Sequence, residues 1–269
     1  MPSEVVTHPD GPLLVLGGAG TGKTHELQQR FAWLVKEGVP AHSILALAFS
    51  PRAAESMLTA IEELVEPPYE ELHVRTFHSF CEQLLRDEAP EAGLAPGFAV
   101  VSRADRVALM LDSLGELSLR RHEIRGNPAP LLAGFVARID RLKAEMVSHE
   151  ELATHAAAAP EASDAERSHK ARESEFARIY ADHDALLHER GALDSGDLVL
   201  RAFRLLHESP HVRERAAKRF THVLADDLQD ASFAQASLLG LLCAEHGQIT
   251  VAGDEHQATH RLPAPGERT

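Results

Sequence analysis

A lysine and a threonine behind a run of glycines are the first residues whose types and spacing point to chemistry. Gly17, Gly18, Ala19, Gly20, Thr21, Gly22, Lys23 and Thr24 fit the phosphate-loop pattern G-x-x-x-x-G-K-[ST]. Glycine lets a backbone curl so that its N–H groups converge on an anion, and a helix N-terminus behind it adds partial positive charge. In such a loop Lys23 can reach the β- and γ-phosphates of a nucleoside triphosphate, and the Thr24 hydroxyl can hold Mg²⁺. A second cluster, Asp226-Asp227 with Asp230 three residues on, follows the apolar run from Thr221 to Ala225. A carboxylate at a strand end, Asp226, can hold Mg²⁺ against the phosphates, and its neighbour Asp227 can orient or deprotonate the attacking water. Alone, these acids would be equally well explained as favourable charge at the start of the next helix. With Lys23-Thr24 in the same chain they read as the second half of one site. Gln257, just past a later strand, is a neutral donor of the kind that can sense a γ-phosphate, although a polar turn would also account for it.

Such a site needs parallel strands with helices behind them. Leu13 to Leu16 is an apolar, strand-length run, and Leu27, Phe31, Leu34 and Val35 recur at helical spacing until Gly38. Ile44 to Phe49 predicts a buried strand, Ser50-Pro51 opens a helix that ends at Pro67-Pro68, and a short strand from Leu72 to Thr76 precedes the helical FHSFCEQLLRD. This β-α-β-α-β-α order predicts a parallel sheet covered by helices. From Ala89 to Gly191 strand signals almost vanish, and helical periodicities run through Val107 to Leu114, Leu131 to Leu142 and Phe176 to Leu187. HAAAAPEASDAERS, residues 155–168, reads as a mobile connector with a frayed helix. Another helix (198–206), a strand (221–225), a helix (232–246) and a strand (248–252) complete the pattern. The fold expectation is α/β, with residues 1–88 and 192–269 forming one domain interrupted by an all-α insertion, 89–191.

Composition narrows the setting. The 269 residues carry a formal net charge of −14, which argues against a generally basic nucleic-acid-coating protein but allows a local basic groove. No run approaches a membrane span or a signal sequence, so no membrane partner is expected. Cys81 and Cys243 form no ligand or disulfide pattern, which suits a reducing cytoplasm. His256 and His260 lack partners that would make them a metal site.

GGAGTGKT, AFSPRAAESM (48–57), RTFHSF (75–80), LADDLQDAS (224–232) and VAGDEHQ (251–257) occur in that order. They resemble motifs I, Ia, Ib, II and III of the UvrD/PcrA/Rep-type superfamily 1 DNA helicases. ALDSGDLVLRA (192–202) resembles the segment where that family's chain returns from its helical insertion. The resemblance implies a RecA-like P-loop NTPase domain as the first motor domain of an ATP-dependent helicase of DNA repair or recombination. It also implies that Lys23 contacts phosphates, Thr24 and Asp226 hold Mg²⁺, and Gln257 senses the γ-phosphate, with Asp227 at the position of the catalytic glutamate. Phe49, Arg52, Phe77 and His78 fall where the family contacts single-stranded DNA, which suits aromatic stacking on bases and cations on phosphates. For Phe49 and Phe77, core packing is the competing explanation.

The chain departs from the pattern at Asp227, where the family usually has glutamate. Aspartate is one methylene shorter, and misplacement on that scale costs roughly a hundredfold in rate. Residues 258–263 lack the aromatic platform the family carries there, and residues 1–16 lack its adenine-binding glutamine motif. The resemblance ends after motif III, so the family's second RecA-like domain and its arginine fingers lie outside these residues. Arginine-finger loss is worth about a thousandfold or more. This chain by itself is therefore expected to show little ATPase activity and no unwinding. The alternative is a catalytically weak, nucleotide-responsive module that binds DNA or a protein. A small-molecule phosphotransferase would need neither the Gln257 region nor FHSF.

Overall fold

The structure is a computed structural model that describes residues 3–117, 119–121 and 126–254. The described residues divide into two compact units, 3–88 with 202–254 and those within 89–201.

The first unit is built on β1 (Leu13–Leu16), α1 (Lys23–Lys36), β2 (Ile44–Ala48), α2 (Pro51–Leu64), β3 (His73–Thr76) and α3 (Phe77–Asp87). Further along the chain it adds β6 (His222–Ala225), α10 (Phe233–Cys243) and β7 (Ile249–Gly253). These strands form a parallel sheet in the order β1-β7-β6-β2-β3. Central β2 is buried at every position, as a strand covered on both faces must be, which is why ILALA is apolar without alternation. Over the sheet, Leu27 and Phe31 of α1 and Met57 and Ile61 of α2 pack on Ile44, Leu224 and Ala252. Each such large side chain contributes on the order of 1.5–3 kcal/mol by leaving water. The Ser50 hydroxyl caps α2 by accepting from Ala53 N at 3.1 Å, and Pro51 occupies the first turn, where its missing N–H costs nothing. At the other end of the sheet, β1 is an edge strand with Leu14 and Leu16 exposed. The buried guanidinium of Arg30 on α1 donates to the carbonyls of Val5, Val6 and His8 and to Thr250 Oγ1, fastening the amino-terminal segment.

The second unit holds β4 (Ala99–Val100), α4 (Arg103–Asp112), α5 (Ala129–Ala144), α6 (His149–Ala158), α7 (Asp164–Glu189) and β5 (Ala192–Leu193). Met110, Leu132, Phe135, Ile139, Phe176 and Tyr180 form its apolar core. The alanine-rich stretch is ordered helix for the most part: Ser148 and Glu151 close a capping box on α6, Ser163 and Glu166 close another on α7, and only 159–163 lie between. Good helix formers outweighed the weak amphipathic pattern there. The unit is also not purely helical, because β4 and β5 pair in parallel over two residues, too short for any periodicity to show.

The division of the chain falls inside α8 (Ser195–Glu208) rather than ahead of Ala192. The cause is a buried ionic cluster. Lys143 Nζ reaches Asp184 Oδ1 at 2.9 Å, Asp194 Oδ2 at 2.9 Å and Asp197 Oδ1 at 2.6 Å, while Arg106 reaches Asp194 at 2.8 Å and Asp140 at 2.6 Å. Gly196 permits this approach, since a Cβ there would lie 2.8 Å from Lys143 Cβ. Residues 192–197 are thereby tied to α4, α5 and α7. After α8 comes α9 (Pro210–Arg219), whose charged sequence PHVRERAAKR gave no clear apolar face and which the periodicity did not predict.

Candidate nucleotide site

The phosphate loop connects β1 to α1. Gly20 and Gly22 adopt φ of +74° and +89°, values that favour glycine, and a Cβ at Gly17 would come within 2.6 Å of Thr21 Oγ1. Gly17 N donates to Gly253 O at 3.2 Å, fixing the start of the loop to the end of β7. Unlike α2, α3 and α10, α1 starts without a side-chain cap, so its first N–H groups face the loop as a nest does. Lys23 Nζ folds back and donates to Gly17 O at 2.6 Å and Gly18 O at 2.9 Å.

Across from the loop stands the carboxyl end of β6. The Thr24 hydroxyl donates to Asp226 Oδ2 at 2.6 Å, joining residues 202 positions apart. Asp226 N donates to Leu47 O at 3.0 Å, which keeps β6 in register on β2 up to its last residue. Asp226 is buried, and burial, aided by the negative charge of Asp227, raises its carboxyl pKa above the ordinary value despite the Thr24 bond. Asp227 has a left-handed backbone, φ 49° and ψ 43°, turning the chain sharply away from the sheet. Its N–H donates to Asp226 Oδ1 at 3.0 Å, and its own Oδ1 accepts from Gln229 Nε2 at 3.0 Å.

Between loop and strand ends lies a cavity of about 520 Å³, lined by residues 19–25 together with Gln28, Asp227, Gln229 and Asp254. It lies at the carboxyl edge of the sheet, where parallel α/β folds bind ligands. The donor set fits a nucleoside triphosphate with a hard divalent cation: glycine-loop N–H groups and an ammonium for the phosphates, a hydroxyl and a buried carboxylate for the metal. Lys23, Thr24, Asp226 and Asp227 are brought together here, whereas Gln257, His256 and His260 lie outside the described residues. Gln28, Gln229 and Asp254 were given no role by the sequence reading. Gln28 follows Thr24 by four residues, which places both on one face of α1, and Gln229 and Asp254 lie within LADDLQDAS and VAGDEHQ.

The DNA-contact candidates leave two neighbouring strands. Ala48 of β2 pairs with Thr76 of β3, so Phe49 and Phe77 emerge side by side, with ring centroids 4.9 Å apart. Phe77 is a core residue at 1% exposure and offers no face to a base, which corrects its expected role in stacking. The register that pairs the strands also drives its ring inward. Phe49 and His78 are half-buried, and Arg52 is exposed in the first turn of α2.

A glycine loop closing on a carboxylate at the edge of a five-stranded parallel sheet, with a helical insertion in the chain, defines a RecA-like P-loop NTPase fold. Residues 2–262 match the family model described as the UvrD/REP helicase N-terminal domain, and the chain belongs to that family. It is 30% identical over 259 residues to the ATP-dependent DNA helicase PcrA of Staphylococcus aureus, across 96% of this chain and 33% of the relative. The PcrA of Staphylococcus epidermidis is similarly 30% identical over 261 residues, with the same coverage. The chain thus spans about a third of the length of the curated relatives it matches. Among the described residues no helix is long and apolar enough to cross a membrane.

Proposed function

We propose that residues 1–88 and 202–269 form the ATP-binding first motor domain of a DNA helicase or translocase that tracks single-stranded DNA in repair or recombination in the cytoplasm, with 89–201 as its largely helical insertion. The observation that carries this reading is the 2.6 Å bond from Thr24 to Asp226, which joins the loop to the acidic strand end beside the cavity that Thr24 and Asp227 line. Bound Mg²⁺ would neutralise charge on the β- and γ-phosphate oxygens. Lys23 exchanges the carbonyls of Gly17 and Gly18 for phosphate oxygens, a stronger, charge-assisted pairing. Thr24 and Asp226 hold the cation, and the Asp226 carboxyl binds it as the anion. Asp227 orients the attacking water, with a reach one methylene short of glutamate. Gln257 senses the γ-phosphate. Phe49, Arg52 and His78 meet the DNA strand, Arg52 through phosphate and Phe49 through base faces. Completing the ATP cleft and moving along DNA require a second RecA-like domain with its arginine fingers.

The shortened Asp227 favours a second reading, a nucleotide-responsive DNA- or protein-binding module with little turnover. Single-stranded DNA-stimulated ATP hydrolysis separates the two. The motor reading expects very low turnover by this chain and a rise of about a thousandfold or more when the second motor domain is present. If both stay silent while Mg·ATP binds, the module reading stands.

A further inference from the structure

Gln229 lines the cavity, and the roles assigned above make no use of it. This half-buried amide bridges two strand ends: Nε2 donates to Asp227 Oδ1 at 3.0 Å, and Oε1 accepts from Asp254 N at 2.9 Å. Asp227 lies two residues past β6 and Asp254 follows β7, so the bridge spans the two strands whose ends frame the cavity. The backbone at Gly253 passes so near that a Cβ there would sit 3.5 Å from Oε1. The left-handed Asp227 backbone costs on the order of 1–3 kcal/mol in a residue with a side chain, and it persists only where its surroundings hold it. The bonds that do so are Asp227 N to Asp226 Oδ1, Asp230 N to Asp227 O at 2.9 Å, and the Gln229 bond to the carboxylate itself. An amide can donate to the carboxylate and accept from a main-chain N–H at the same time; glutamate can only accept and lysine only donate.

We propose that Gln229 is a positioning residue of the nucleotide site, locking the Asp227 carboxylate and the Asp254 main chain into one hydrogen-bonded unit. The proposal rests on the nucleotide reading of the cavity. With one Asp227 oxygen committed to Gln229, the carboxylate keeps a single orientation and presents its other oxygen to water. The main chain that continues from Asp254 toward Gln257 starts from a point fixed to the same group.

Amide hydrogen exchange in the nucleotide-free chain reads the bridge without any turnover. Exchange at Asp254 is expected to rise at least tenfold in Gln229→Ala and to fall back toward wild type when Gln229→Glu is combined with Asp227→Asn, whose amide can donate to the new carboxylate while that carboxylate still accepts from Asp254 N. Unchanged protection in Gln229→Ala overturns the bridge. Single-turnover hydrolysis, with chain in excess over labelled Mg·ATP, reads the positioning. Gln229→Ala is expected to lower the rate about tenfold, with nucleotide affinity and melting temperature near wild type, and to cost nothing further in an Asp227→Asn background. A loss that persists in full beside Asp227→Asn overturns action through Asp227, as does wild-type turnover no faster than that of Lys23→Ala. Mg·ATP binding that survives Lys23→Ala would instead fail the nucleotide reading, and the exchange result would still report on the bridge.

Discussion

Replacing Lys143 by methionine should be among the most damaging single changes in the inserted unit, and its deficit against the native protein should shrink toward acid. The ammonium is 1% exposed and carries three carboxylates at 2.6–2.9 Å, and Arg106 remains on Asp194. Burial works against its charge, but Asp197, Asp194 and Asp184 outweigh burial and raise the Lys143 pKa, so it stays an ammonium. Removing one partner of a buried ion cluster leaves uncompensated charge and costs about 3–5 kcal/mol. For a unit spanning residues 89–201, with an unfolding entropy of about 2.1 cal/mol/K per residue, that is roughly 13–21 °C in melting temperature. Burial pushes the Asp184 and Asp194 carboxyls up, but the Lys143 ammonium foremost for Asp194, and the His183 hydrogen bond with the Lys143 charge for Asp184, hold both below the usual value. In the native protein Asp184 and Asp194 contribute stability that is present above the unfolded pKa and lost as pH falls through the lower folded pKa, whereas burial holds the Asp197 carboxyl up and its contribution runs the other way. Without Lys143, burial prevails and their folded pKa values rise above the unfolded ones. The variant then gains stability as pH falls, and its deficit against wild type shrinks toward acid. Urea titration followed by helicity at about pH 7 and about pH 5 reads both slopes. A Lys143→Met deficit below about 1 kcal/mol at neutral pH, or one that grows on acidification, refutes this account of the cluster.

The raised Asp226 pKa makes proton and cation competitors at a higher pH than for an ordinary carboxylate. Mg·ATP affinity should therefore weaken on acidification from neutral pH, measured by calorimetry, and Asp226→Asn should bind weakly without that slope. Asp227→Glu, which restores the missing methylene, should raise single-turnover hydrolysis; an unchanged or lower rate would count against a water-positioning role. Phe77→Ala should cost about 3–5 kcal/mol of stability because the ring is core, whereas Arg52→Ala should leave stability unchanged and lower the salt slope of single-stranded DNA binding by roughly one.

The phosphate loop and the strand–helix alternation were legible because their signals are local: glycines at turns, apolar runs such as ILALA, and Ser-Pro at a helix start. The Thr24–Asp226 contact followed from placing each residue at the carboxyl edge of a parallel strand. Where local signals were weak or ambiguous, the reading fell short. Alanine gave α6 helix propensity without an apolar stripe, and the charges of α9 masked its short buried face of Val212, Ala216 and Ala217. The burial of Phe77 depends on β2–β3 register, and the Gln229 bridge depends on main chain 25 residues away. Arg30 could not be read as a buried latch for the amino-terminal segment, because nothing in its spacing marks the carbonyls it meets.

Thermal unfolding of the wild-type chain and Lys23→Ala, each with and without Mg·ATP, tests the central claim most directly. With ligand at about a hundred times its Kd, binding adds about 2.7 kcal/mol, or roughly 5–10 °C for a protein of this size. The account predicts that shift in the wild type and its loss in Lys23→Ala, whose melting without ligand stays near wild type. An equal shift in both proteins, or none in the wild type, would contradict it.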